Sequence, residues 1–231
     1  MNQKYKHLLF DLDHTLWDFQ TNSLVTLREL FNEFELFNYF SNFENFHSVY
    51  EEHNLKLWSR YRDGLISKKD LNFNRFNYPL TTVGIDNPAT AMRFADEYVR
   101  RSPLKKALMP GAVDILEYLN PKYRMHIITN GFLEVQNKKL EVSGLNSYFD
   151  EIFISELIGA QKPASQFFNH VIKTLNTSKK ECIVIGDSYE ADIIGAQDFG
   201  LDYVFYNVNN DVHENGVMHE IFSLVELKQI L

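Results

Sequence analysis

The stretch His7-Leu8-Leu9-Phe10-Asp11-Leu12-Asp13-His14-Thr15-Leu16 decides how the rest of the chain is read. Leu8, Leu9 and Phe10 run without a polar break and stop at a carboxylate, and a second carboxylate follows two residues later. Such a run predicts a strand buried on both faces, as in a parallel sheet. Asp11 then falls at the strand's carboxyl end, where open α/β sheets bind ligands. Two carboxylates this close repel each other unless something neutralises them, and a divalent cation does so through oxygen ligands. Taken alone, Asp11 and Asp13 also read as plain loop residues after a strand. The remainder of the chain separates the two readings.

From Pro110 onward the sequence alternates between helix and strand patterns. Helices are expected over Ala112 to Leu119, from Gly131 to Gly144, over Ala164 to Leu175 with Pro163 at its start, and over Ala191 to Phe199. Short apolar strands are expected at Met125 to Ile128, Glu151 to Ile154, Glu181 to Ile185 and Tyr203 to Tyr206. With the first, these make five strands separated by helices, the pattern of a parallel sheet with right-handed crossovers.

Between the first strand and this array the sequence reads as helix throughout. Thr21, Asn22 and Ser23 offer N-caps ahead of Leu24, Leu27, Leu30, Phe31 and Phe34 at helical spacing. A second pattern runs from Phe43 to Tyr61 and is closed by Gly64. Ser67 with Asp70 forms a capping box, and Asn87-Pro88 opens a fourth helix through Arg101. The expected organisation is therefore an α/β core from residues 1–16 and 106–231, with an inserted all-helical domain over 17–105. The insertion enters just after the two aspartates, where it can stand over them as a lid hinged near 15–22 and 101–109. Phe31, Phe34, Tyr50 and Trp58 are expected in its core.

The composition fits this plan. The chain has 231 residues, 45% of them hydrophobic, enough for a buried core and an insertion. No apolar run is long enough to span a membrane, and Lys4, Lys6 and His7 lead straight into the first strand, so neither an anchor nor a signal peptide is expected. The single cysteine, Cys182, lies in an apolar run and suits a reducing cytoplasm. The net charge of −8 argues against binding a nucleic-acid polymer, but not against a small phosphorylated ligand held by a cation and a few local donors. Composition leaves monomer and homodimer equally open.

In a parallel sheet the carboxyl ends of all strands share one edge. That edge collects Asp11 and Asp13, then Thr129 and Asn130, then Asp187, with Lys162 just ahead of a helix. Carboxylates, a hydroxyl, an ammonium and helix N-termini around one crevice suit a phosphate with Mg²⁺.

At this point the chain resembles the haloacid dehalogenase-like (HAD) hydrolase superfamily, whose core is a Rossmann-like parallel sheet. Four motifs carry the resemblance in the family's order: Asp11-Leu12-Asp13-His14-Thr15, Ile128-Thr129-Asn130-Gly131, Lys162-Pro163, and Gly186-Asp187-Ser188-Tyr189-Glu190-Ala191-Asp192. The helical insertion resembles that family's smaller cap. The resemblance implies that Asp11 is a nucleophile forming an aspartyl-phosphate and that Asp13 is the general acid and base. It implies that Thr129 with the Asn130 and Gly131 amides grips the phosphoryl group, and that Lys162 neutralises nucleophile and phosphate. Asp11, Asp187 and the main-chain carbonyl of Asp13 are implied to bind Mg²⁺, with Asp192 and Ser188 behind them. Asp192 also reads, less readily, as an N-cap or first-turn acid on its helix, and Ser188 equally as a helix cap. His14 stands where the family commonly has glycine, and Ala164-Ser165 where Asp-Pro is common.

An acid at position 13 separates the family's phosphatases from its dehalogenases. The run through Leu16-Trp17-Asp18-Phe19, with an insertion of this length, is most similar to the YjjG/YfnB-like branch, whose members include pyrimidine 5′-nucleotidases. The expectation is a Mg²⁺-dependent phosphomonoesterase on nucleoside 5′-monophosphates or other small metabolites. A phosphomutase, or a non-catalytic phosphate-binding module, stands as the alternative. Trp17 and Phe19 read either as stacking surfaces for a leaving group or as packing at the hinge. Arg60, Arg62, Lys68 and Lys69 read either as contacts to substrate or as surface charge.

Overall fold

A computed structural model of the chain describes residues 4–213 and 216–231. These fall into two compact units, one from the segments Met1–Gln20 and Lys105–Leu231, the other Thr21–Leu104.

The first unit is built on a parallel sheet of six strands: β1 (His7–Phe10), β2 (Arg124–Thr129), β3 (Glu151–Ile154), β4 (Cys182–Gly186), β5 (Asp202–Tyr206) and β6 (Glu220–Ile221), in the order β3-β2-β1-β4-β5-β6. β1 is central. His7 to Phe10 pair with Arg124 to Ile127 on one side and with Cys182 to Ile185 on the other. All four β1 residues are buried, as their apolar run requires. The connections run outward from β1 to β2 and β3, then cross back to β4, so the order reverses beside β1 and opens a crevice at its carboxyl end. One layer of core packs Leu8, Phe10, Ile127, Ile185 and Val204 against α5 (Ala112–Leu119) and the C-terminal segment. The other packs Leu9, Ile128 and Val184 against Phe167, Phe168 and Val171 of α8 (Ser165–Leu175). The remaining helices of this unit are α6 (Leu133–Ser143), α7 (Ser155–Ile158) and α9 (Gly195–Phe199).

The helical unit contains most of α1 (Phe19–Glu33), with α2 (Phe43–Arg62), α3 (Lys68–Thr82) and α4 (Pro88–Arg101). Their starts follow from caps: the Asn42 side chain accepts from the Asn45 amide, Ser67 and Asp70 form a reciprocal capping box, and Asn87 accepts from Ala89 and Thr90. Leu27, Leu30, Phe31, Phe46, Tyr50, Phe76 and Phe94 form its core, with Phe34 packed at the edge. Trp58 lies outside that cluster, half-buried and edge-on to Tyr61.

Four details differ from the sequence expectations. There is a sixth strand, only two residues long and paired only with β5. Helix α1 starts at Phe19, so Thr21, Asn22 and Ser23 lie inside it rather than capping it. Helix α8 starts at Ser165 with Ala164 as its N-cap, and the Lys162–Pro163 peptide bond ahead of it is cis. The turn Tyr189–Ile194 is π-helical and hands over to α9. Cys182 is buried, as its apolar run predicts, and burial pushes its thiol up to about 12. No helix among the described residues is long and apolar enough to cross a membrane.

At the amino ends of β1 and β2, His7 Nδ1 and His126 Nε2 share a 3.0 Å hydrogen bond inside the core. Burial, helped by His7, holds His126 down at about 4; burial and Arg124 lower His7 as well, against the opposing charges of Glu181 and Asp150. The unfolded chain, with histidines near 6.5, therefore takes up protons first, and the stability present above pH 6.5 is lost as pH falls towards 4. Urea denaturation at pH 7 and pH 4.5 should show a loss larger by about 2–3 kcal/mol in the native protein than in a His126→Leu variant. An equal loss in both would refute the assignment.

Candidate active site

The loops leaving β1, β2 and β4 bring the sequence-predicted residues to one edge of the sheet. Asp11 follows β1 directly, and its amide donates to the Ile185 carbonyl at 2.9 Å, which fixes it against β4. Lys162, 2% exposed, extends beneath it. The three hydrogens of its ammonium group all have partners: Asp11 Oδ1 at 2.6 Å, Asp192 Oδ1 at 2.6 Å and the Ile128 carbonyl at 2.9 Å. Burial alone would lower the lysine's pKa, but Asp11 and Asp192 outweigh it and the ammonium is held more firmly than in water. Asp11 is thereby gripped by one oxygen only. Its Oδ2 has no hydrogen-bond partner among the described residues.

Asn130 holds Lys162 from the other side. Its Oδ1 accepts from the Lys162 amide at 2.9 Å and its Nδ2 donates to the Lys162 carbonyl at 2.8 Å. The Asn130 side chain is thus spent on the backbone that carries the lysine.

Thr129, at the end of β2, is buried. Its Oγ1 accepts from the Gly131 amide at 3.1 Å and from Gln136 Nε2 at 2.6 Å. With both lone pairs occupied, the hydroxyl proton remains available to donate. The Gly131 amide, expected to bind phosphate directly, here orients Thr129 instead.

Asp187 and Asp192 follow β4. Thr15 Oγ1 donates to Asp187 Oδ1 at 2.8 Å and accepts from the Asp187 amide at 3.1 Å. Asp192 is fully buried; its Oδ2 accepts from the Ser188 amide at 3.1 Å. Ser188 Oγ accepts from the Ala191 amide at 3.2 Å, the capping role. Gly186 is required by this approach, since a Cβ there would sit 2.4 Å from Asp192 Oδ2.

Asp11, Asp187 and Asp192 each offer an oxygen within 4.8 Å of the others. Three carboxylates face one ammonium. Burial together with mutual repulsion raises Asp11 to about 7, against the pull of Lys162, and raises Asp187 well above the usual carboxylate range. Hard oxygen donors with surplus negative charge fit Mg²⁺ or another hard divalent cation. The Asp13 carboxylate is not part of this trio. It turns to α6, where Oδ1 accepts from Lys139 Nζ at 2.5 Å and Oδ2 from Gln136 Nε2 at 2.9 Å. The sequence reading did not single out Gln136, Lys139 or the Thr15–Asp187 bond. Its one signal was that Gln136 and Lys139, three apart, share a helix face with Leu140.

Trp17 is fully buried and belongs to the core, and Phe19 packs beside it, so packing accounts for both rings. His14 has φ 66°, a left-handed conformation in which glycine is at ease; its ring lies 4.9 Å from that of Phe19. In the helical unit Arg60, Arg62 and Lys69 are exposed and Lys68 is half-buried.

The chain as a whole resembles known proteins. The model of the haloacid dehalogenase-like hydrolase family matches residues 5–200. The chain is 33% identical over 232 residues to the HAD-hydrolase YfnB of Bacillus subtilis (strain 168), covering 99% of this chain and 96% of that one. It is 31% identical to the pyrimidine 5′-nucleotidase PynA of Streptococcus pneumoniae (strain ATCC BAA-255 / R6), over 98% and 95% of the two chains. A crystal structure of YfnB bound to magnesium superposes with a TM-score of 0.88 at 31% identity, covering 99% of each chain. A family model spanning most of the chain and full-length relatives agree: the chain belongs to the haloacid dehalogenase-like hydrolases.

Proposed function

We propose that this hydrolase is a Mg²⁺-dependent phosphomonoesterase that works through an aspartyl-phosphate on Asp11, with nucleoside 5′-monophosphates or other small phosphorylated metabolites as substrates. The observation that carries the reading is the asymmetry of Asp11: one oxygen is locked on Lys162, and the other has no hydrogen-bond partner among the described residues. A nucleophile needs that combination of fixed direction and free lone pair. The relative named as a pyrimidine 5′-nucleotidase and the magnesium in the YfnB crystal structure support the substrate class and the cation.

In this reading Asp11 Oδ2 attacks phosphorus while Asp13 gives a proton to the departing alkoxide, so no strongly basic leaving group has to depart unprotonated. The Thr129 hydroxyl and the main-chain amide of Asn130 hold phosphoryl oxygens, and the Gly131 amide orients Thr129. Lys162 works through charge, because its three N–H groups are already engaged. Asp11, Asp187 and the Asp13 carbonyl are the groups assigned to hold Mg²⁺, with Asp192 and Ser188 as their supports. When bound, that cation supplies positive charge beside the phosphate and lowers its repulsion with Asp11. Selection among leaving groups is assigned to side chains of the inserted helical unit. A single buried cysteine supports a reducing cytoplasmic setting.

Two tests follow from these roles. With Mg²⁺, the protein should release inorganic phosphate from p-nitrophenyl phosphate; EDTA should stop turnover, and added Mg²⁺ should restore it. Asp11→Asn should melt like the parent and lose turnover by on the order of 10⁴. EDTA-resistant turnover, or an Asp11→Asn variant with a tenth of parental activity, would refute the mechanism. Isomerised product in place of phosphate would point to a mutase, and a panel of nucleotides and sugar phosphates ranks the substrates. Separately, Lys162→Met leaves Asp11 and Asp192 facing each other unpaired. Urea unfolding in EDTA should show a loss of about 3–5 kcal/mol. A loss below about 1 kcal/mol would mean the pair is not sustained by the ammonium.

A further inference from the structure

Two buried polar side chains of α6 end on the same carboxylate. Lys139, with 3% of its side chain exposed, places Nζ 2.5 Å from Asp13 Oδ1. The ammonium also lies 4.3 Å from the centre of the Trp17 ring and 5.4 Å from that of Phe19, within range of a cation–π attraction. Gln136, wholly buried, donates from Nε2 to both Asp13 Oδ2 and Thr129 Oγ1. An amide turned the other way would set its oxygen against the Asp13 carboxylate, so the donor assignment follows from that partner. Glycine at 131 belongs to the same device, because a Cβ there would lie 2.2 Å from Gln136 Nε2.

A lysine is rarely buried this fully, and burying it demands a return. Ion pairs such as Arg28–Glu44, Lys56–Glu52 and Lys138–Glu141 join exposed side chains and mark nothing in particular. The Lys139 pair differs. Its cation is roofed by aromatic rings, while its anion is the half-exposed carboxylate beside the nucleophile.

We infer that Lys139 and Gln136 are positioning residues that hold the Asp13 carboxylate where it takes a proton from the attacking water, and that Gln136 ties this placement to Thr129. The inference rests on the reading of Asp13 as acid and base. In the step concerned, the water oxygen bonds to phosphorus of the aspartyl-phosphate and one water proton passes to the Asp13 carboxylate. The bond between phosphorus and the Asp11 oxygen breaks, releasing the Asp11 carboxylate and hydrogen phosphate. The proton now on Asp13 is the one given to the alkoxide of the next substrate.

The test uses p-nitrophenyl phosphate, whose leaving group departs without a proton, so that forming the phospho-enzyme bypasses Asp13 and breaking it down does not. Lys139→Met, which keeps the apolar stem, should lower kcat at least about tenfold and keep kcat/KM within about threefold. A burst of one p-nitrophenolate per site should precede the slow phase. Asp13→Asn should show the same split, more deeply, and adding Lys139→Met to it should cost kcat nothing further. Lys139→Met with kcat unchanged, with kcat and kcat/KM falling together, or with a further loss in the double variant overturns the inference. If Asp13→Asn itself loses kcat and kcat/KM equally, the reading of Asp13 fails and takes the inference with it. Should Lys139→Met fail to fold, Lys139→Gln is held to the same split.

Discussion

A buried ammonium, that of Lys162, organises the sheet edge. Taking a lone cation out of water is strongly unfavourable, and a protein sustains it only by surrounding it with acceptors. Here those acceptors come from three distant stretches of chain: Asp11 after β1, the Ile128 carbonyl in β2, and Asp192 beyond β4. Meeting the lysine's need fixes where those segments end. Asn130 closes the arrangement by gripping both main-chain groups of Lys162. One cation does not balance the acids around it, since Asp187 adds a third carboxylate within 4.8 Å. Surplus negative charge on hard oxygens suits a divalent cation, and burial with mutual repulsion raises both Asp11 and Asp187.

The parallel sheet makes this convergence possible. Strands running one way present all their carboxyl ends together, and the reversal of order beside β1 keeps the neighbouring connections from covering the crevice. Close approach then depends on missing side chains. At 186 the absence of a Cβ admits Asp192, and at 131 it admits Gln136. Neither glycine is there for a left-handed backbone; both are there for space. The one left-handed position in the loop after β1 is occupied by His14, whose ring leans on Phe19.

The parts legible in the sequence are those where local pattern and tertiary role coincide. An apolar run ending in Asp, as at Phe10-Asp11 and Ile185-Gly186-Asp187, marks both a buried strand and a strand-end carboxylate, so both were readable. Caps at Ser67 and Asn87 were readable because the side chain bonds within its own turn. β6 was not, since two residues with one apolar side chain carry no period, and only pairing with β5 makes them a strand. Gln136 and Lys139 were hidden for a related reason. Polar residues on an amphipathic helix normally face water, and here their face is turned inward by partners more than a hundred residues away in sequence or across a turn.

Trp17 shows how a residue's type can mislead while its position informs. An aromatic ring close behind a nucleophile invites the thought of stacking on a base, yet this ring is wholly buried. Its backbone bridges to Asp13 on one side and Leu108 on the other, joining the outgoing and returning crossings of the chain, and its indole donates to the Lys105 carbonyl at 3.3 Å. The ring's free face covers Lys139. By excluding water there, it strengthens the attraction between that ammonium and Asp13 and offsets part of the lysine's desolvation. The indole therefore acts on the Asp13 carboxylate through its partner, Lys139.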